Sequence, residues 1–311
     1  MRNDIPSTLT RTIVCKQGAV RAVRFNGDGN YCITCGSDKS VKLWNPHREV
    51  LLKTYSGHGY EVLDAQASCD NSQICSCGMD KSVVVFDVAT GNAVRKYRGH
   101  AGTVNCVKFN EESTLVLSGS VDGTIRTWDC RTRKMDPIQI LDEATDSVTS
   151  LQVSDYEILS GSADGCIRRY DLRNGKMFVD FIGKSVSSTS FTRDGQCVLT
   201  STMDDSIKLM DKDTGEMLNE FKGHQNHDYK IDNCLNREDT CVVSGSEDGY
   251  VYFWDLVEVI IICVAKVIHK MQHEGHKVVH SLTFHPTETC LITAAADKIY
   301  VWRSSPASED G

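Results

Sequence analysis

One short pattern recurs seven times along the 311-residue chain and constrains its fold more than any other feature. Its clearest copy is VLSGSVDGTIRTWD, which runs from Val116 to Asp129 and alternates apolar with polar residues around a central Asp-Gly pair. Each copy closes on one bulky residue, and these closing residues are Trp44, Phe86, Trp128, Tyr170, Met210, Trp254 and Trp302. Their successive separations are 42, 42, 42, 40, 44 and 48 residues. A near-constant period of this length predicts an array of seven similar structural units.

Each unit is predicted to form four antiparallel strands. In the third unit, GTVNCVKF, STLVLSGS and TIRTWD supply three strands with apolar alternation, and KMDPIQIL supplies an irregular outer strand. The Asp122-Gly123 pair between the second and third strands is typical of a tight turn. A single unit of this kind cannot bury both faces of its sheet. We therefore expect the units to pack side by side around a common axis.

The period of about 40 to 45 residues, ending in Trp-Asp or a related pair, resembles the WD40 repeat. The resemblance covers the whole chain and implies an all-β, seven-bladed propeller over residues 1–303, followed by a disordered acidic tail over 304–311. The seventh copy ends at Trp302 without a fourth strand behind it. We therefore expect the segment from Leu9 to Cys15 to supply the outer strand of blade seven, which closes the ring and removes an open sheet edge.

The resemblance also implies a buried hydrogen-bonded tetrad of Trp, Ser or Thr, His and Asp within a blade. Three complete sets are expected: His100, Ser118, Asp122 and Trp128; His224, Ser244, Asp248 and Trp254; and His276, Thr293, Asp297 and Trp302. Blade two has His58, Ser76 and Asp80 but carries Phe86 in place of Trp, and blades one, four and five lack the His. Because Ser, His and Asp recur once per unit in a structural role, we expect no catalytic triad and no enzyme activity.

Composition excludes several other classes of function. The chain has 42 acidic and 34 basic residues, a net charge of −8, whereas direct nucleic-acid binding needs clustered Lys and Arg. The first residues have no apolar secretory core, so the 14 cysteines are expected to be reduced, and the Cys32–Cys35 C-x-x-C pair lies in a predicted strand. The histidine-rich segment from His269 to His280 offers at most two free imidazoles, so no metal and no cofactor are expected.

The most apolar stretch runs from Val257 to Ile268. It contains charged residues and is shorter than the roughly 20 residues that a transmembrane helix needs, so no membrane association is expected. Its β-branched content predicts the outer strand of blade six. The stretch belongs to an apolar insertion over residues 257–275, whose role the sequence does not indicate.

A closer resemblance is carried by QGAVRAVRFNGDGNYCITCGSDKSVKLWNP, RGHAGTVNCVKFNEE and DKDTGE. These segments are similar to the mitogen-activated protein kinase organizer family, which departs from this chain in the 257–275 insertion. The resemblance implies a scaffold that assembles kinase-cascade components, with a second association with the spliceosome. It also implies a monomeric propeller within larger complexes, in the cytoplasm and the nucleus.

Partner docking is expected on the face that carries the tetrad His loops and Asp turns, here called the top face. The candidate residues are Arg21, Glu61, Leu63, Met79, Met203, Lys230, Asp232, Glu247 and His280. Such a mixture of charged, thioether and apolar side chains suits protein docking, and a merely solvated rim is the alternative. The three acidic candidates are expected to be exposed beside the channel, where they would steer basic partners.

A rival interpretation rests on the segments TWDCR and RYDLR, which end at Arg131 and Arg173. They resemble the box of WD40 substrate receptors for cullin-4 ubiquitin ligases, in which the Arg contacts the adaptor. The pattern is short, and exposed arginines without a partner are the alternative. Direct RNA binding would need a basic stripe with stacking aromatics, and the sequence has neither.

Overall fold

The computed structural model describes residues 5–256 and 265–304, and within these ranges it contains 28 β-strands in seven four-stranded sheets. Each sheet is antiparallel and forms one blade, with its innermost strand beside the inner strands of both neighbours. The chain therefore forms the all-β, seven-bladed propeller that its repeat predicts.

The first strand, β1 (Thr8–Val14), belongs to blade seven, and the other strands follow blade by blade from the channel outward. Blade one contains β2 (Val20–Phe25), β3 (Cys32–Gly36), β4 (Ser40–Asn45) and β5 (Val50–Ser56). Blade two contains β6 (Val62–Ala67), β7 (Gln73–Gly78), β8 (Ser82–Asp87) and β9 (Ala93–Arg98). Blade three contains β10 (Val104–Phe109), β11 (Leu115–Ser120), β12 (Ile125–Asp129) and β13 (Gln139–Leu141).

Blade four contains β14 (Val148–Val153), β15 (Glu157–Ser162), β16 (Cys166–Asp171) and β17 (Lys176–Phe181). Blade five contains β18 (Val186–Phe191), β19 (Cys197–Thr202), β20 (Ser206–Asp211) and β21 (Met217–Lys222). Blade six contains β22 (Asn233–Leu235), β23 (Cys241–Ser244), β24 (Tyr250–Asp255) and β25 (Val267–Gln272). A 3₁₀ turn at Glu274–His276 precedes blade seven, which contains β26 (Val279–Phe284), β27 (Cys290–Ala295), β28 (Lys298–Arg303) and β1.

The ring closes through β1, as the sequence predicts. This strand pairs antiparallel with β28, placing Leu9 opposite Trp302 and Ile13 opposite Ile299. Ile13 is only 4% exposed and joins a cluster that includes residues of blades one and seven. The strand begins and ends one residue earlier than the Leu9–Cys15 segment expected from the sequence.

The outer strand of blade six lies later in the chain than predicted. The sequence places it from Val257 to Ile268, but positions 257–264 fall outside the described residues, and the observed strand is β25. Ala265 instead forms an isolated bridge to Phe221 of blade five. The strand boundary predicted from the β-branched run is therefore wrong, because apolar alternation alone does not fix which part of a long connection pairs with β24. The predicted 304–311 tail lies outside the described residues except for position 304.

In blades two, three and six the closing residue packs against an aromatic residue of the preceding blade's outer strand. Trp128 stacks on Tyr97 with ring centroids 5.1 Å apart, and Phe86 contacts Tyr55 at 5.5 Å. Both pairs are almost completely buried. Burial of one such ring stabilises the fold by about 2–3 kcal/mol, so each of these repeats needs its neighbour to bury its closing side chain.

Candidate functional site

In blade three, four side chains form one chain of hydrogen bonds that ties the top loops to the blade core. The Trp128 Nε1–H donates to the Ser118 hydroxyl at 2.9 Å, and His100 Nε2 lies 2.8 Å from the same hydroxyl. His100 Nδ1 lies 3.0 Å from the Asp122 carboxylate, which also accepts the Ala101 N–H at 2.8 Å. Burial lowers the pKa of His100, which keeps the imidazole neutral at neutral pH. Burial disfavours the charge of Asp122, yet the hydrogen bonds it accepts hold its pKa well below the usual range.

Blade two forms the same hydrogen-bonded chain without its tryptophan member. His58 Nδ1 lies 2.9 Å from Asp80, and its Nε2 lies 2.8 Å from the Ser76 hydroxyl. Phe86 offers no N–H, so the Ser76 hydroxyl lacks the donor that Trp128 supplies to Ser118. The Ser76 hydroxyl faces the Val84 carbonyl oxygen at 3.5 Å, as the Ser118 hydroxyl faces that of Arg126 at 3.4 Å.

Blade one carries a complete chain that the sequence analysis missed. Trp44 Nε1–H donates to the Thr34 hydroxyl at 2.8 Å, and this hydroxyl donates to the Gln17 amide oxygen. The Gln17 amide nitrogen reaches Asp38 at 3.4 Å. A Gln amide has a donating nitrogen at one position and an accepting oxygen at the other, as the two nitrogens of a neutral imidazole do, so it can replace His. The signal was the position of Gln17, in the same loop before the inner strand where other blades carry His.

The tetrad predicted for blade six does not assemble. His224 is 2% exposed, but neither ring nitrogen has a hydrogen-bond partner in the described structure. Trp254 donates to the Lys222 carbonyl and the Ser244 hydroxyl to the Gly245 carbonyl. The Tyr252 hydroxyl donates to the Asp248 carboxylate at 2.6 Å, and this hydrogen bond replaces the one expected between Asp248 and His224.

In blade seven the tetrad histidine is His273 and not the predicted His276. His273 Nε2 lies 2.7 Å from the Thr293 hydroxyl, which also accepts the Trp302 N–H at 2.9 Å. His276 is exposed in the 3₁₀ turn, three residues beyond the buried position. The Gly-His pair misled the prediction because this turn lengthens the connection. His273 Nδ1 is buried without a hydrogen-bond partner, so it makes no hydrogen bond to Asp297. The predicted Asp297 is therefore not part of the blade-seven hydrogen-bonded chain.

The reactive side-chain types in these blades are buried rather than presented. Ser76, Ser118 and Thr293 are each 0% exposed, and a nucleophile must reach its substrate. Cys32 and Cys35 are also 0% exposed, and burial raises the pKa of both thiols well above the ordinary value. Among residues 5–256 and 265–304, no group of three or more His, Cys, Asp or Glu could hold a metal ion.

The top mouth of the central channel brings six predicted docking residues together. A cavity of about 210 Å³ there has Tyr229 in its wall with the predicted residues Arg21, Leu63, Met79, Lys230, Asp232 and His280. In six blades the inner strand has a register shift at its second residue, which is Arg21 in blade one, Leu63 in blade two and His280 in blade seven. A bulge of this kind re-aims a side chain, and here it directs three of the candidates at the mouth.

Asp232 is not the exposed carboxylate that the sequence predicts. Its oxygen lies 2.7 Å from Arg24 Nη1 and accepts the Ser281 hydroxyl at 2.7 Å, while Arg24 Nη2 contacts Asp64 at 3.1 Å. Burial opposes the charge of Asp232, but the Arg24 guanidinium holds its pKa below the ordinary value. Lys230 also extends inward and donates to the Asn105 carbonyl of blade three at 3.1 Å. These side chains therefore tie opposite sides of the channel together.

Glu247 also has a structural contact that the sequence did not indicate. Its carboxylate accepts the backbone N–H groups of residues 227, 228 and 229 at 2.8, 2.7 and 3.0 Å, which fixes the loop that presents Tyr229. Glu61 pairs with Arg21 at 3.1 Å, and both side chains are 29% exposed. Met203 is half-buried and does not line the cavity. The prediction that the acidic candidates are exposed without partners is therefore wrong for Asp232 and Glu247.

Arg131 and Arg173 follow the third strands of adjacent blades, on the opposite or bottom face. Their side chains are 67% and 63% exposed. Arg131 contacts Asp129 at 3.2 Å, and Arg173 contacts Asp171 at 3.1 Å and covers the Tyr156 ring. Each arginine is thus held outward by the aspartate of its own repeat.

The seven blades and their repeat-specific hydrogen bonds define a WD40 β-propeller, a class of largely non-enzymatic platforms for protein–protein interaction. The WD40 repeat model matches residues 7–45 and 266–303, and a model of the nucleolar protein 10-like N-terminal propeller domain matches residues 63–239. The chain belongs to the WD repeat domain-containing protein 83 family: it is 58% identical to the human protein over 99% of this chain and 96% of that one. It is 61% identical to the zebrafish member over 97% and 94%, and 39% identical to an uncharacterized fission yeast WD repeat protein over 88% and 91%. In the described parts of the chain, no helix has the length and apolar character needed to cross a membrane.

Proposed function

We propose that the protein is a non-enzymatic scaffold that assembles multiprotein complexes by docking partners on its top face. The cavity at the top mouth carries this proposal, because it combines an arginine, a thioether and an aromatic side chain on a rigid ring. Met79 and Tyr229 are each 43% exposed there, and Arg21 is half-buried beside them. Aromatic residues, Met and Arg are enriched in protein interfaces.

The partner class rests on the similarity to the mitogen-activated protein kinase organizer family. We propose components of a MAP kinase cascade as the main partners, with a second role in pre-mRNA splicing as a spliceosome-associated protein. Both roles place the protein in the cytoplasm and the nucleus, as a single propeller inside larger assemblies. The burial of the Ser, Thr and Cys side chains described above supports a role without catalysis.

Affinity purification of the intact protein, followed by mass spectrometry of bound proteins, tests this assignment. Kinase-cascade components are the expected main group, and splicing factors the expected second group. Recovery of neither group above an untagged control would contradict the proposed partners.

The alternative function is a substrate receptor of a cullin-4 ubiquitin ligase. It is supported by the outward positions of Arg131 and Arg173 on two adjacent blades. In that case Arg131→Ala combined with Arg173→Ala should abolish co-purification of the ligase adaptor and leave the melting temperature unchanged. If the wild-type protein recovers no adaptor, this alternative fails.

A further inference from the structure

A groove opens on the bottom face between blades three and four. It encloses about 300 Å³, and its wall includes Leu115, Ile138 and Leu172, with Glu111 and Asp155 at its rim. Ile138 is 56% exposed and Leu172 is 51% exposed. We propose that this groove docks a partner peptide that presents an aliphatic side chain next to lysine or arginine. The proposal is independent of the top-face surface, because it concerns other residues on the opposite face.

The groove exists because the outer strand of blade three is short. β13 has three residues and pairs only with Ile125–Thr127, so Trp128 and Asp129 have no partner in it. In blade four the corresponding residues, Tyr170 and Asp171, both pair with β17. Pro137 has no N–H to donate, which prevents the outer strand from extending back along β12. The flank of β12 thus stays partly uncovered, and Ile138 is left at the surface.

The rim of the groove has an excess of negative charge. Glu111, Glu112 and Asp155 are all exposed, and none of them has an ion pair within 4.0 Å in the described residues. Glu111 and Asp155 come from adjacent blades and lie close enough that their hydrogen bond and mutual repulsion raise the pKa of Glu111. The nearby Arg131 and Arg173 are each occupied by their own aspartate. A cation from a partner would relieve this repulsion, which identifies the charge of the occupant.

The chain itself shows what fits such a groove. Between blades six and seven, a cavity of about 160 Å³ has Ile5 and Pro6 in its wall together with Phe253 and Phe284. The site is equivalent by position: the Asn236 side chain accepts the Cys241 N–H there, as the Asn110 side chain accepts the Leu115 N–H in blade three.

Ile5 packs against the apolar cluster of blades six and seven, upstream of β1. An Ile-Pro segment is therefore the kind of chain that this site accommodates. In the blade three and four groove, no segment of residues 5–256 or 265–304 plays the part of Ile5 and Pro6.

Fluorescence anisotropy with the purified full-length protein and a labelled Lys-Lys-Ile-Pro-Lys-Lys peptide tests the proposal. Replacing the isoleucine of this probe with aspartate should weaken binding by about tenfold or more, because the aliphatic anchor is lost. Glu111→Lys with Asp155→Lys should weaken binding of the original probe by a similar factor, and the effect should shrink at high salt. Leu172→Asp should also weaken it.

Glu238→Lys is the matched control, since Glu238 is an exposed rim residue of the equivalent groove between blades six and seven. It should change affinity by less than about twofold. If the double charge reversal does not fold, Glu111→Gln with Asp155→Asn replaces it, and partial weakening is then expected. Equal affinity for the isoleucine and aspartate probes, or affinity unaffected by the groove variants, would overturn the proposal. Either result would leave the top-face scaffold untouched.

Discussion

At the scale of single residues, buried polar side chains decide how firmly the top loops are held. In blade three the chain from Trp128 to Asp122 satisfies every member, whereas in blade six His224 is buried without a hydrogen bond. A buried polar group without a partner lowers the free energy of unfolding by about 1–3 kcal/mol, so the same residue types stabilise blade three and destabilise blade six. Blade six therefore combines an unsatisfied imidazole with a short inner strand, β22.

The corrected position of the blade-seven histidine gives a direct test. His273→Ala should reduce the free energy of unfolding by about 1–3 kcal/mol, because it leaves the Thr293 hydroxyl with one partner fewer. His276→Ala should stay within about 0.5 kcal/mol, because the side chain is exposed. The comparison is made from urea unfolding midpoints, provided that the dependence of the unfolding free energy on urea concentration is the same for both variants. The reverse order of effects would restore the sequence-based assignment.

His224 gives a prediction about pH. Burial lowers its pKa from 6.5 to about 4, so the unfolded chain binds the proton first. Its contribution to stability is therefore complete above pH 6.5 and is lost as the pH falls toward 4, by about 3 kcal/mol in total. His224→Phe should flatten this part of the stability curve, whatever its effect at neutral pH. Parallel curves for variant and wild type between pH 6.5 and 4 would show that His224 does not titrate in this way.

At the scale of elements, the strand β1 does most to complete the ring. It joins the first residues of the chain to β28 near the end, and it buries Ile13 in a cluster shared by blades one and seven. Without it, β28 would present an unpaired edge, which is a template for association with other chains.

Removal of residues 1–15 should therefore lower the urea midpoint or cause the protein to associate, as measured by analytical ultracentrifugation. Ile13→Ala should cost about 2–5 kcal/mol because it leaves a cavity. Val14→Ala, at a neighbouring site that is 47% exposed, should stay within about 0.5 kcal/mol. A deletion variant that remains monomeric with an unchanged midpoint would refute closure by β1.

At the scale of the whole molecule, the period of the closing residues and its resemblance to the WD40 repeat were sufficient to predict the fold and the blade number, and the missing fourth strand after Trp302 was sufficient to predict the closing strand. The same reasoning placed residues such as Arg21, Leu63 and His280 at the channel mouth, because repeat position determines direction. It also placed Asp232 there but wrongly predicted its exposure, because its partner Arg24 is 208 residues away in sequence and adjacent only once the ring is closed. The role of Gln17 was missed because an amide can make the hydrogen bonds of an imidazole, and a search for His does not detect that substitution.

The docking of partners on the top face is the central claim, and a matched pair of double variants tests it most directly. Met79→Asp with Tyr229→Ala changes the top mouth, while Met217→Asp with Leu218→Ala changes residues of similar exposure on the outer strand of blade five. Both variants should keep the wild-type stability within about 1 kcal/mol, since all four sites are exposed. Quantitative mass spectrometry of affinity-purified complexes should show loss of the main partners from the first variant and their retention by the second. Retention of every partner by the top-face variant, or equal loss from both, would contradict the account.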